Sequence, residues 1–259
     1  SYKVPLNPAP FTLFGFVLAL FLGFRNSASY DRFWEGRKLW GSLLNVSRSL
    51  TRQVLTLNRN IDRESIKEFI NLLSAFVYAL NHQLRNTDSS DDLKDKVSIA
   101  DYQLIINSKY KPALILNLIG DWVGKQKLKG NLDSIQQASI DQNLNTLSDV
   151  LGGCERIVST PIPYSYQVLL HRTIYIYCFL LPFGLVDSLS WFTPFIVAFI
   201  AYTFVAFEAI ADEIEEPFGQ EANDLALNSM SAMIEESIKE LAGMEIDIVS
   251  NSKGQKIVD

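Results

Sequence analysis

Strongly apolar, uncharged runs occur at three places along the chain. They are Phe11 to Phe24 (FTLFGFVLALFLGF), Thr173 to Val186 (TIYIYCFLLPFGLV) and Trp191 to Phe207 (WFTPFIVAFIAYTFVAF). A charge closes each one: Arg25, Asp187 and Glu208. None reaches the roughly 20 residues a helix needs to cross about 30 Å of hydrocarbon, so each alone also fits a buried core helix. The runs are apolar on every face, where a surface helix would show a stripe. Aromatics gather near their ends: Tyr164, Tyr166, Tyr175 and Tyr177 by the second, Trp191 and Phe192 at the start of the third. That is the placement of an interfacial belt. The pattern predicts membrane segments at about 10–24, 168–187 and 191–208, the last two joined by a tight turn from Asp187 to Ser190.

Elsewhere the apolar positions recur at helical spacing. Residues 30–58 carry Phe33, Leu39, Trp40, Leu43, Leu44, Val46, Leu50 and Val54; residues 62–85 carry Ile66, Phe69, Ile70, Leu73, Phe76, Val77 and Leu80. Asp62 is the expected N-cap of the second of these. The polar stretch 86–95 (NTDSSDDLKD) predicts a surface loop. Further helices are expected at 112–128, opened by Pro112, and at 132–160, ended by Pro161 and Pro163. No strand alternation is visible, so the expected class is all-α. The membrane helices continue into a large helical bundle with a loose tail at 244–259.

Composition agrees with a chain shared between bilayer and water. Of 259 residues, 48% are apolar and 20% charged, and the mean hydropathy is +0.10. The net charge of −6 gives no reason to expect nucleic acid as a partner. Cys154 and Cys178 lie in dissimilar segments and are expected to be free thiols. The chain opens at Ser1 without a signal-peptide pattern, and its Pro-containing start runs straight into an apolar segment; an upstream piece is expected. Arg25, Arg32, Arg37, Lys38, Arg48 and Arg52 follow the first run, and His171 and Arg172 precede the second. The positive-inside rule then places 25–165, and everything after Glu208, in the cytosol.

Enzyme signatures are scarce. The two histidines, His82 and His171, are far apart, and His82 is expected to be solvated. No Gly-rich phosphate loop or nucleophile elbow is present. Acidic residues concentrate at 212–224 (DEIEEPFGQEAND). Glu213 and Glu216 share a helix face, Pro217 and Gly219 break the helix, and Glu221 and Asp224 follow. Four carboxylates around such a turn could hold Ca²⁺, which takes six to eight oxygens; on composition alone a solvated helix end is the favoured reading, since charge runs are usually solvated. Phe16, Leu20 and Phe24 stand at i, i+4 and i+8 and so share one helical face. By themselves they are as readily lipid- or helix-facing.

The string EEPFG with the acidic segment after it resembles the signature loop of the bestrophin family. So do GFRNSASYDRFWEGRKLWG (23–41), similar to the family's segment after its pore helix, and GGCERIVSTPIPYSY (152–166), similar to its helix-to-membrane junction. The resemblance covers nearly the whole of 1–259 as a single channel domain. It is strongest to the bacterial members, in that no long C-terminal extension follows. It implies a homopentameric channel for small monovalent ions in a bacterial inner membrane, multi-pass, with most of the chain cytosolic. Its partners are then further copies of itself, the lipid bilayer and the permeant ions. Carried over by position, Phe16, Leu20 and Phe24 form a hydrophobic neck, and Ile135 and Ala138 fall at a second, cytosolic constriction. No cofactor is required. Glu213, Glu216, Glu221 and Asp224 correspond to a Ca²⁺ clasp of the animal members, but the acidic run is broken here by Gln220, Ala222 and Asn223, which leaves a structural loop as the alternative. The resemblance admits chloride or sodium; the −6 charge leans towards cations. The competing functions are a membrane-bound metal-dependent enzyme using 213–224 and a non-conducting scaffold.

Overall fold

The computed structural model describes residues 9–58 and 60–245; the tail expected at 244–259 lies almost wholly outside these. Nine α-helices account for most of the described residues: α1 (Ala9–Leu57), α2 (Arg63–Arg85), α3 (Ser90–Lys94), α4 (Ile99–Ile106), α5 (Lys111–Leu128), α6 (Ser134–Ser159), α7 (Tyr164–Leu189), α8 (Thr193–Glu215) and α9 (Leu227–Leu241). No strand occurs among the described residues, as the all-α expectation requires. They form two compact units, 9–35 with 160–217 and 36–159 with 218–245.

The first unit holds the apolar runs. The first 27 residues of α1 belong to it, and α7 and α8 are joined by a 3₁₀ turn at Ser190–Phe192. At 1.5 Å per residue α7 is about 39 Å long and α8 about 35 Å, each enough for about 30 Å of hydrocarbon. Both outrun the apolar runs that announced them. The expected turn at 187–190 is corrected: helical hydrogen bonding carries Asp187 to the end of α7, with Pro182 inside it, and the reversal comes three residues later. Within the apolar windows of α1 and of Tyr164–Glu215 only 17% and 11% is buried inside the chain. A soluble protein's core helix would be mostly covered, so this exposure argues for bilayer or neighbouring subunits around them.

Packing inside this unit centres on Leu18, Leu22, Ile174, Tyr177 and Leu181, flanked by Phe11, Val197, Ile200 and Phe204. Tyr177 stands edge-on to Phe204, with ring centroids 5.8 Å apart, and donates its hydroxyl to the Phe11 carbonyl at 3.3 Å. Two glycines permit this approach. A Cβ at Gly15 would strike the Tyr177 ring, and one at Gly184 the Phe11 ring.

The second unit is built around α2. Phe69, Ile70, Leu73, Phe76, Val77 and Leu80 are fully buried, and α5, α6 and α9 pack on it. The expected cap holds: the Ser65 N–H donates to Asp62 Oδ1 at 2.8 Å. Pro112 sits in the first turn of α5, as expected. Burial pushes the Glu235 carboxyl up, but hydrogen bonds from Lys96 and Lys239 outweigh this and leave it below its ordinary range. The helix expected at 30–58 is the second half of α1, one helix of 49 residues, because nothing between Phe24 and Tyr30 breaks it. The loop at 86–95 contains the single turn α3, and α4 follows unanticipated; both are too short for their periodicity to show. His82 is less free than expected: it is bonded to Thr87 and to Asp92, each at 2.7 Å.

Candidate pore-lining face and a buried arginine cluster

The membrane part of α1 has two unlike sides. Leu18, Leu22, Arg25 and Ser29 are buried and repeat at i, i+4, i+7 and i+11, one stripe along the helix. Phe16, Leu20 and Phe24 are 68%, 47% and 60% exposed. At about 100° per residue their mean direction lies roughly 180° from the buried stripe. The structure thus leaves these three large side chains on one face, directed away from the unit's own core. Ile135 and Ala138 are likewise exposed, in the first turns of α6. That helix starts where Asp133 caps it, accepting from the Ile135 and Gln136 N–H groups at 2.9 and 2.8 Å.

Immediately after Phe24 the polar chemistry begins. Arg25 is only 2% exposed. Its Nη2 donates to Asp212 and lies 3.6 Å from Glu215 Oε2; its Nη1 lies 3.9 Å from Glu208 Oε1. The three acids stand at i, i+4 and i+7 on α8, which puts them on one face. Glu208 also meets His171 Nδ1 at 3.0 Å. Glu215 accepts from the Ile162 N–H at 3.0 Å and from Gln167 at 2.8 Å. Arg32, one heptad after Arg25, donates to the carbonyls of Glu215 and Thr160. A charge taken out of water needs both a partner and its remaining hydrogen bonds satisfied. Glu215 meets that condition through α1 and both ends of the 162–167 junction. The cluster therefore ties the helix that carries Phe24 to the start of α7 and the end of α8.

The acidic loop is arranged differently. Glu213 is half-buried and Glu216 and Glu221 are exposed. The Glu221 N–H donates to Asp224 Oδ2 at 2.7 Å, closing a local turn, and Pro217 and Phe218 are buried. Among the described residues no three His, Cys, Asp or Glu side chains gather as ligands of one metal ion. Glu215, which lies between two of the predicted ligands and was not singled out, is buried and bonded to Ile162, Gln167 and Arg25. The i, i+4, i+7 spacing of Glu208, Asp212 and Glu215, matched by Arg25 and Arg32 at i and i+7, is the signal in the sequence that identifies it.

Residues 1–240 match the family described as Bacterial/Fungal Bestrophin protein. A voltage-dependent anion channel-forming protein of Ralstonia nicotianae is 52% identical over 241 residues, 93% of this chain and 79% of that protein. The voltage-dependent anion channel-forming protein YneE of Escherichia coli is 44% identical over 227 residues, 88% of this chain and 74% of its own length. A crystal structure of a bacterial bestrophin homolog from Klebsiella pneumoniae superposes with a TM-score of 0.90 at 42% identity, covering 93% of this chain and 89% of that one. The Ralstonia and Escherichia proteins are named for forming channels and not for catalysis. With a shared fold at this level of identity and a family match over almost the full length, the chain belongs to the bacterial/fungal bestrophin family.

Proposed function

We propose that the chain is the pore-forming subunit of a homopentameric anion channel in a bacterial inner membrane, with most of its length in the cytosol. The observation that carries this is the face formed by Phe16, Leu20 and Phe24, large apolar side chains exposed opposite the helix's own packing stripe. In a ring of identical subunits such faces converge on the axis and stack as apolar collars, which gate by dewetting. Ile135 and Ala138 stand as the second, cytosolic constriction. The ions are anions, chloride foremost, because the similar proteins of Ralstonia nicotianae and Escherichia coli are named for anion conduction; this outweighs the lean towards cations drawn from net charge. Native mass spectrometry in detergent gives the subunit count. Five copies are expected, and a stable monomer or dimer contradicts the assembly.

The loop at 213–224 is structural in this reading, with no cofactor needed. Its support is the buried Pro217 and Phe218 and the Asp224 side chain accepting from the Glu221 N–H. Converting Glu213, Glu216, Glu221 and Asp224 together to their amides removes charge-assisted acceptors and introduces donors in their place. The variant is expected to melt below the wild type, with Ca²⁺ shifting neither. A ligand that binds the folded state raises its melting temperature by mass action. A Ca²⁺-dependent rise in the wild type that the amide variant lacks would establish the clasp instead.

A further inference from the structure

A cavity of about 350 Å³ opens beside the arginine cluster, with Arg25, His171, Arg172, Glu208 and Asp212 in its wall. Its charges are of both signs and are only partly used up. Arg172 makes no hydrogen bond or ion pair among the described residues. Asp212 receives Arg25 on one oxygen, yet its side chain remains 57% exposed. An unused cationic side chain, Arg172, and an accessible carboxylate thus stand in one cavity. That chemistry suits a zwitterion carrying a phosphate and a primary ammonium. An anion alone would also meet Glu208 and Asp212, and a cation alone would meet Arg172.

The surroundings decide what carries the zwitterion. Ile176, Leu180 and Phe183 follow Arg172 at i+4, i+8 and i+11 on α7 and are all exposed. An apolar track therefore leads from the cavity along the membrane helix, as the tails of a lipid require. Charged pockets at the cytoplasmic ends of membrane helices are where headgroups bind. We propose that this cavity receives the phosphoethanolamine headgroup of a bilayer lipid, its phosphate on Arg172 and its ammonium on Asp212. The inference rests on the membrane reading above.

The test places the full chain in nanodiscs of equimolar phosphatidylethanolamine, phosphatidylcholine and phosphatidylglycerol with identical acyl chains, and counts the lipids retained in native mass spectrometry. Choline keeps the positive charge but has no N–H to donate, and glycerol has no charge. Retention of the ethanolamine lipid about tenfold above both others is expected, since one charge-assisted hydrogen bond of about 1.4 kcal/mol supplies that ratio. Asp212→Asn should bring the ethanolamine lipid down to the level of the glycerol lipid. Arg172→Gln, at an exposed side chain with no partner to lose, should lower its retention about tenfold by the same reasoning. Equal retention of all three lipids, preference for the glycerol lipid, or an unchanged preference in Arg172→Gln overturns the proposal. Chloride flux from the same preparation separates the two readings. Flux without ethanolamine preference defeats the headgroup site alone, and absence of flux in every lipid defeats the channel.

Discussion

Single-channel conductance is expected to rise several-fold when Phe16, Leu20 and Phe24 are replaced together by alanine, with the proposed pentamer intact. The three side chains are exposed within the chain and lie opposite Leu18 and Leu22, so truncating them removes no contact from the unit's own core. In the ring they would set the width of the neck. Each substitution shortens a large apolar side chain to a methyl, which widens the collar and lowers the barrier to wetting it. Planar-bilayer recording of a variant whose subunit count is unchanged measures the effect. A current equal to that of the wild type would move the narrow point elsewhere on the axis. Replacing Leu18 and Leu22 provides the contrast: these are core positions, and alanine there is expected to cost about 2–5 kcal/mol each through the cavities left behind.

Arg25→Met is expected to be among the most damaging single changes in the membrane unit. It leaves Glu208 and Glu215, both buried, without their shared cation. Removing one partner of a buried ion pair costs about 3–5 kcal/mol, because the remaining charge is left uncompensated. His171 and Gln167 still reach these carboxylates, so the cluster is weakened and not emptied. Thermal melting in detergent, followed by loss of the assembled peak in size-exclusion chromatography, reads the loss. Combining Arg25→Met with Glu208→Gln and Glu215→Gln should recover much of it, since the triple change removes the orphaned charges together. A melting point for Arg25→Met within a degree of the wild type contradicts an electrostatic role for the cluster.

Much of this architecture was legible in the residue pattern. The apolar runs at 11–24 and 173–186 fall within long helices, as does 191–207 after its first two residues, and Asp62 and Pro112 mark helix starts where capping chemistry places them. Phe16, Leu20 and Phe24 share a face by spacing alone, and the structure adds that the face is uncovered. What the pattern concealed has physical reasons. The charge at Arg25 ends the apolar run without ending α1, since an arginine is a good helix former. The pairing of Arg25 with Glu208 and Glu215 is a tertiary event that shows in the sequence only as matched helical spacing on two distant segments. Glu213 and Glu216 stand just before a recognisable turn, while Glu215 between them is buried and accepts from Ile162 and Gln167. Helix α4, of eight residues, is too short for two turns of periodicity to separate it from a loop.

The most direct test of channel function is the reversal potential of purified protein in a planar bilayer under a tenfold KCl gradient. An anion-selective pore predicts macroscopic currents that reverse close to the chloride equilibrium potential, at about 59 mV for a tenfold gradient of a monovalent ion. Reversal near the potassium potential, of opposite sign, or the absence of any current from verified pentamers would contradict the account.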